Sequence, residues 1–487
     1  MTGVEPDAPL GAGGEAAPDS GSVGTIRPPR RDGYPDGPNL LGSARLLAQF
    51  FEDPVSWYVD LRNRYGDLVG LRAGPLRMIV CFDVDLLEQI LVKEPRAYLK
   101  GDGLRATRFV LGNGLITSDG DTWKAHRKLA APVFTPRNIE PFADATVAIA
   151  REMVDSWPEE GTAQVARDCY DVSLRVAGVG LFGSDFSDAE RRELHRAMSD
   201  LNEGYKLIVG PGGKFMVEHG LSPKAKRMKA GRDHVDEVIR ALIAQRRLEG
   251  DSGELGSLLT KLLAARDEDD GSSFTDEEVR DEAVTMLLAG HDTTAATLGW
   301  SLALLALHPK EQADARAEVD QVLAGRDATA ADLRALPRIR AIVDETLRLN
   351  PTVYSTVRDP IEPVTLPTGH VLPPGTDIVV PIGGIHRDPR LWDAPMEFRP
   401  ERFLGDTPRE RHRMAYLPFG TGPRICIGSN FALQELVLVL ATVLQHYEVS
   451  APAGWRLEPH VGFIRRPAGD LPLQVKRRPA FAPAAAG

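Results

Sequence analysis

Phe419-Gly420-Thr421-Gly422-Pro423-Arg424-Ile425-Cys426-Ile427-Gly428 is the stretch of the 487-residue chain whose reading decides the fold. Three glycines and a proline within ten residues set an irregular backbone that can approach a flat ligand closely. Ser429-Asn430-Phe431-Ala432 follows, and an apolar run of helical spacing continues to Leu444. The spacing predicts that Cys426 sits just ahead of a helix N-terminus, where the dipole and free N–H groups favour a thiolate. A lone cysteine is more often a structural residue that packs as a small hydrophobe. Phe419, the spaced glycines, Arg424 two residues before the cysteine and Gly428 two after it argue for chemistry instead.

Upstream, the longest apolar segment runs from Ala283 to Leu307, and its middle holds Ala289-Gly290-His291-Asp292-Thr293-Thr294. A membrane span needs about 20 consecutive apolar residues. Burying Asp292 in lipid would cost about 2.5 kcal/mol or more. A helix through a large soluble core explains the pattern at lower cost. Thr275 with Glu278 reads as a capping box after the solvated Arg266–Gly271 loop. A helix from Asp276 to about Leu307 would run roughly 48 Å, enough to cross a whole domain. Gly290 and the threonines are poor helix residues, and on their own they would mark a kink whose Thr hydroxyl is satisfied by its own helix.

Strands are expected in two places only. One is Leu68–Gly70 with Met78–Phe82 around the Gly74-Pro75 turn, and the other is Val364–Leu366 with Ile378–Ile382. Most of the rest has helical spacing. Length alone would allow about three domains at roughly 150 residues each, yet no linker or repeat breaks the chain from about Gly33 to Arg477. The expected fold class is mainly α with small β-sheets (α+β), one large domain over 33–477 built round the long helix. Residues 1–32, rich in Gly, Ala, Pro and acid, read as a disordered tail without a secretory signal, and 478–487 as a flexible C-terminal tail.

With 58 Lys+Arg against 69 Asp+Glu, the net charge of -11 argues against nucleic acid or an anionic membrane as the main partner. Cys81, Cys169 and Cys426 are too few for a disulfide framework and fit a reducing, cytoplasmic setting. Glu345-Thr346-Leu347-Arg348 lies on a short helix starting near Pro337. Its stripe of Ile339, Ile342, Val343 and Leu347 leaves Arg348 on the opposite side. Spacing alone makes Glu345 and Arg348 a surface pair worth about 0.2–0.5 kcal/mol.

The cysteine loop, the Gly290–Thr294 segment, Glu345–Arg348 and Phe398-Arg399-Pro400-Glu401-Arg402-Phe403, in this order, resemble the cytochrome P-450 family, the haem-thiolate monooxygenases. The resemblance covers nearly the whole chain after the tail. It implies haem b (iron protoporphyrin IX), with Cys426 as the axial iron ligand and Phe419 and Gly420 in the loop against the cofactor. Gly290 would open room over the iron, and Thr293 and Asp292 would supply protons to dioxygen as general acids. Trp123, Arg127, Arg358 and Arg424, with His126, match positions that hold the propionates. Trp123 and Arg127, four apart on one helix, share a face. Glu345, Arg348 and Arg402 would form a structural network behind the cysteine loop.

The activity so implied is insertion of one oxygen atom of O2 into a C–H or C=C bond of a lipophilic small molecule. A terpenoid, a fatty acid or a polyketide would fit, in secondary metabolism. About 60 residues follow Cys426, too few for a fused flavin reductase domain. Electrons are therefore expected from a separate ferredoxin/ferredoxin reductase or a flavodoxin. A haem-thiolate isomerase or dehydratase and a non-catalytic haem sensor are the alternatives, against which the Asp292–Thr293 pair speaks. Arg424 and Pro400–Phe403 look like the branch of fatty-acid hydroxylases and microsomal enzymes, yet no membrane anchor accompanies them. Pocket walls are expected from Gly101–Ile116, Leu201–Val217, Leu287–Asp292 and Val353–Thr356. Ile208–Gly213 reads as a lid hinge or an ordinary interhelical turn. The basic run Arg409, Arg411, His412, Arg413 reads as a docking site for an acidic redox partner or as a solvated face.

Overall fold

The computed structural model describes residues 26–30, 32–73, 76–210, 212–249, 257–405, 411–479 and 481. Its organising element is the helix Asp276–Leu307, opened by the expected capping box. Thr275 Oγ1 accepts from the Glu278 N–H at 3.3 Å, and Glu278 Oε2 accepts from the Thr275 N–H at 2.8 Å. Nearly every residue from Val279 to Ala306 outside Leu288–Thr293 is buried. A helix apolar on all sides must be enclosed by other elements. Val165–Ala177, Pro223–Glu249, Pro337–Leu349 and Ser429–His446 pack around it.

The first turns of this helix carry charge inward with a purpose. Asp281 Oδ2 accepts the Asn113 N–H at 2.6 Å, and Glu282 Oε2 accepts the Leu115 N–H at 3.1 Å. Two buried carboxylates thereby fix the 112–117 loop, which forms one wall of the central cavity. A Cβ at Gly112, whose φ is +64°, would lie 1.9 Å from Asp281 Oδ1, so only glycine fits there.

The largest sheet has five strands in the order Leu68–Ala73, Leu76–Cys81, Thr376–Val380, Thr356–Pro360, Tyr98–Lys100. All its pairings are antiparallel except Leu76–Cys81 with Thr376–Val380, in register Ile79 to Ile378. The expected partnership of Val364–Leu366 with Ile378–Ile382 does not form. Val364–Thr365 pairs with Val371–Leu372 instead, and Ile382 begins a helical turn to Ile385. A three-stranded sheet (Glu160–Gln164, Pro472–Arg477, Tyr447–Ser450) and the hairpin Pro459–Val461/Arg465–Pro467 lie outside the two expected places. These strands are three to six residues long and pair across up to about 300 positions, leaving little local periodicity to read.

Residues 1–25 and 31 of the expected N-terminal tail, and 480 and 482–487 at the other end, lie outside the described residues. The described part of the first segment is tied down. Arg27 and Arg30 pair with Asp36, Arg72 pairs with Asp32, and Ile26 packs on a core cluster. Arg478 is likewise anchored, to Asp320 at 2.6 Å and to the carbonyl of His446. No helix among the described residues is long and apolar enough to cross a membrane.

Candidate active site

The cysteine loop folds back on itself, the Cys426 N–H bonding the Phe419 carbonyl at 2.9 Å and the Ile425 N–H the Gly422 carbonyl at 3.1 Å. Gly420 and Gly422 take φ of +70° and +66°. At Gly422 a Cβ would stand 2.2 Å from the Leu91 carbonyl oxygen, so the loop is pressed onto the Gln89–Lys93 turn. The following helix begins at Ser429, as the spacing predicts. Cys426 is exposed only in that it lines an internal cavity of about 410 Å³; protein encloses it otherwise. Burial pushes its thiol above the ordinary value, opposed by the Gly428 N–H and by Arg127. The expected helix-terminal effect is thus present but outweighed by burial. Cys81 and Cys169 are buried and their thiols are pushed up by burial, as in structural cysteines.

Across the cavity from the loop runs the middle of the long helix. Gly290 and Thr293 line the space, and a Cβ at Gly290 would meet only Leu181 Cδ1, at 3.5 Å. Thr293 Oγ1 donates to the Ala289 carbonyl at 2.6 Å. The self-satisfied hydroxyl is therefore present, in a helix that continues unbroken. A hydroxyl that donates to its own helix still has lone pairs to accept from a ligand. Asp292 does not line the cavity; it lies on the far side of the helix with His291 and Arg466.

Four cations and an indole gather at one edge of the cavity. The Arg424 guanidinium stacks 3.8 Å from the Trp123 ring centroid and bonds the Ser118 carbonyl and Asp119 Oδ1, both at 3.0 Å. Among the described residues Arg127 bonds the Ile425 carbonyl alone, at 3.1 Å. Arg358 bonds Thr356 Oγ1 at 3.2 Å and the Val357 carbonyl at 2.9 Å. Lys100, which sequence reasoning missed, donates to the Leu115 carbonyl at 2.5 Å. Among the described residues Arg127, Arg358 and Lys100 have no carboxylate partner. Burial first, then repulsion from Arg424, brings Arg358 down to about 10 and Lys100 down to about 6. Buried cations without anions are costly. This edge is built to receive carboxylates, and beside a cysteine and a flat irregular loop it fits haem with its two propionates.

Lys100 gives a test of that electrostatic picture. Its value near 6 lies below the ordinary 10.5, so between these pH values the unfolded chain binds more protons than the folded one. Cofactor-free protein should therefore become more stable as pH rises through that window, and less stable as pH falls toward 6. Urea midpoints of Lys100→Met should show a flatter slope there, and an unchanged slope would mean that another group is responsible.

His126 is not brought to the cavity. It is buried, with Nδ1 2.7 Å from Glu282 Oε1 and Nε2 3.2 Å from Glu278 Oε1, and it clamps its helix to the long one. Burial opposes its charge, but the two glutamates hold its pKa above the ordinary value. Behind the cysteine loop, Glu345 and Arg348 are both fully buried and meet through two bonds of 2.6 and 2.8 Å. Arg402 Nε reaches Glu345 Oε1 at 3.3 Å. Arg348 also bonds the carbonyls of His386, Pro395 and Glu397. The surface pair expected from spacing is therefore a core network, because the 386–397 segment covers the face that the helix leaves polar.

The four expected wall segments contribute Leu104, Ile116, Tyr205, Leu288 and Val353 among others, and Leu181, Phe463 and Ile464 join them. None of Ile208–Gly213 lines the cavity; Pro211 lies outside the described residues, and the rest forms the turn after Asp188–Ile208. Of the basic run, Arg409 lies outside the described residues. Arg411 stacks 3.8 Å from the Trp392 ring centroid, Arg413 pairs with Glu88, and His412 lies 3.5 Å from Asp85 and Glu88. Asp85 and Glu88 thus face His412 and Arg413, while Arg411 packs on an aromatic ring.

Known proteins resemble the chain in sequence and in fold. Cyclooctat-9-en-7-ol 5-monooxygenase of Streptomyces melanosporofaciens is 32% identical over 450 residues, covering 92% of this chain and 94% of that protein. Cyclooctatin synthase of the same organism is 32% identical over 441 residues, 90% and 92% of the two chains. The crystal structure of the cytochrome P-450DA haem domain superposes with a TM-score of 0.81 at 26% identity, covering 92% of this chain and 98% of that one. The sequence pattern of the cytochrome P-450 family matches residues 34–468, and the chain belongs to that family of haem-dependent monooxygenases.

Proposed function

We propose that the protein binds haem b through Cys426 and hydroxylates or epoxidises a lipophilic terpenoid, using electrons from a separate ferredoxin/ferredoxin reductase or flavodoxin in the cytoplasm. The observation that carries this reading is the edge of cations that have no carboxylate partner among the described residues, buried Lys100 with half-buried Arg127 and Arg358, around the same cavity that Cys426 lines. Haem bound there supplies the reductive activation of O2 and the transfer of one oxygen atom to carbon.

The chain's residues do the rest. Cys426 Sγ would ligate the iron, while Arg127, Arg358, Arg424, Lys100 and the Trp123 indole would hold the propionates. Phe419 and Gly420 would lie against one face of the ring, and Gly290 would leave space on the other. Thr293 Oγ1 would hold a proton donor over the reacting atoms, drawing on Asp292 behind it. Glu345, Arg348 and Arg402 would keep the loop in place. Leu104, Ile116, Leu181, Leu288, Val353 and Ile464 would exclude water and favour an apolar guest. The terpenoid class is supported by that lining and by the named activity of the cyclooctat-9-en-7-ol relative.

Titration with cyclic terpenoid alcohols and with fatty acids, followed by the high-spin shift of the Soret band, tests the substrate class. Product labelled from isotopic O2 only when NAD(P)H and redox proteins are present tests the reaction. Product formed without reductant would replace it with an isomerase or dehydratase. Thr293→Ala should retain haem and NAD(P)H consumption while product per electron pair falls about tenfold or more, with peroxide making up the difference. A fully coupled variant would remove Thr293 from proton supply.

A further inference from the structure

Behind the long helix, on the side away from the cavity, lies a group of rings that the reading above does not use. His291 is fully buried, and its Nε2 is 3.0 Å from the Tyr170 carbonyl oxygen. A carbonyl only accepts, so Nε2 carries a proton. Nδ1 of the same ring is 3.0 Å from Asp292 Oδ1. In a neutral ring so bonded, Nδ1 would face a carboxylate with a lone pair, two acceptors in contact. The pair is within reach of a proton transfer but lacks hydrogen-bond geometry. The His291 ring packs against His195 and Tyr170, with centroids 5.3 and 5.4 Å away. Among the described residues, His291 Nδ1 and His195 Nε2 are enclosed without a well-formed hydrogen bond, and the Tyr170 hydroxyl faces Arg466. His195 belongs to the outer helix Asp188–Ile208 and is half-buried, so the polar track from Asp292 leads outward without entering the cavity.

We propose that His291, with His195 behind it, returns a proton to Asp292 after each turnover, through an entry route separate from the substrate cavity. The inference rests on the proposed role of Asp292. In this step the proton on His291 Nδ1 moves to Asp292 Oδ1 and leaves a neutral ring, while Nε2–H stays on the Tyr170 carbonyl. His195 Nε2 then restores the proton at Nδ1, and solvent supplies the other nitrogen of His195. Imidazole suits such a passage because one nitrogen can take up a proton as the other gives one up. Burial first, then the positive neighbours His291, Arg191 and Arg167, bring His195 down to about 3, so it passes protons without storing charge. Arg466, on the hairpin strand Arg465–Pro467, is the cation facing Asp292 and Tyr170 on this side.

The test uses the haem-loaded protein with a surrogate ferredoxin and its reductase. His291→Phe keeps the ring volume and removes the exchange. It should leave the ferrous carbonyl band and the substrate-induced Soret shift unchanged, lower product per NAD(P)H about tenfold or more, and enlarge the solvent deuterium isotope effect. His195→Phe should act in the same direction, and the double variant should be no worse than His291→Phe alone; should His291→Phe lose haem, His195→Phe carries the test. Coupled turnover with an unchanged isotope effect in these variants, while Thr293→Ala uncouples, overturns the His route and leaves the proposed function standing. With isotope-labelled histidine, the His291 Nδ1 resonance of the ferrous carbonyl protein should move in Asp292→Asn; a resonance indifferent to that change overturns the exchange with Asp292.

Discussion

Purified Cys426→Ala will lack the red-displaced ferrous carbonyl band and form no product, yet it will fold. The thiol faces a cavity, so its removal leaves no gap in packed core, and the backbone bond to the Phe419 carbonyl is kept. Substitutions that create neither a void nor an unpaired buried group stay within about 0.5 kcal/mol. Arg127, Arg358, Arg424 and Lys100 remain to hold carboxylates, so porphyrin can still enter. Spectroscopy of the ferrous carbonyl form and thermal melting, read together, separate a lost ligand from a lost fold. A variant that keeps the displaced band would dismiss Cys426 as the ligand.

Glu345→Ala carries the largest expected loss of stability. It strands the fully buried Arg348 guanidinium, and removal of one partner of a buried pair costs about 3–5 kcal/mol. Whole domains have only about 5–15 kcal/mol to lose. Haem retention should fall as well, since Arg348 and Arg402 tie the 386–402 segment to the helix behind the cysteine loop. Arg348→Ala should cost a similar amount, and the double variant much less than the sum, because partners in one network do not act independently. Urea denaturation decides the matter: a loss under about 1 kcal/mol would return the pair to the surface class.

What the sequence made legible is whatever a local signal encodes. The long helix is readable to its ends, because Thr275 and Glu278 announce the start and the apolar run persists to Leu307. The cysteine loop is readable because Gly420 and Gly422 take a left-handed backbone that other residues rarely adopt. Arg348 was not readable from periodicity: the segment that covers it, His386 to Glu397, lies about 40 residues further on and supplies backbone carbonyls and the ring of Trp392. Lys100 stands in no motif, and only the fold brings it beside Arg424. His126 sits three residues from Trp123 but faces Glu282 instead of the cavity, a distinction of helix face that needs the neighbouring helix to be placed.

The seat of the cysteine loop against Leu91 has a consequence for biosynthesis. The two halves of that contact are made 331 positions apart, and Arg424 meets Ser118 across 306. At about 5–20 residues per second, a ribosome needs roughly 15–65 s to deliver the second half after the first. Throughout that interval the early carbonyls have no nascent counterpart, and the cysteine follows them by more than 300 positions. Cofactor loading is consequently a late event, which cannot begin until both halves of the seat have left the ribosome.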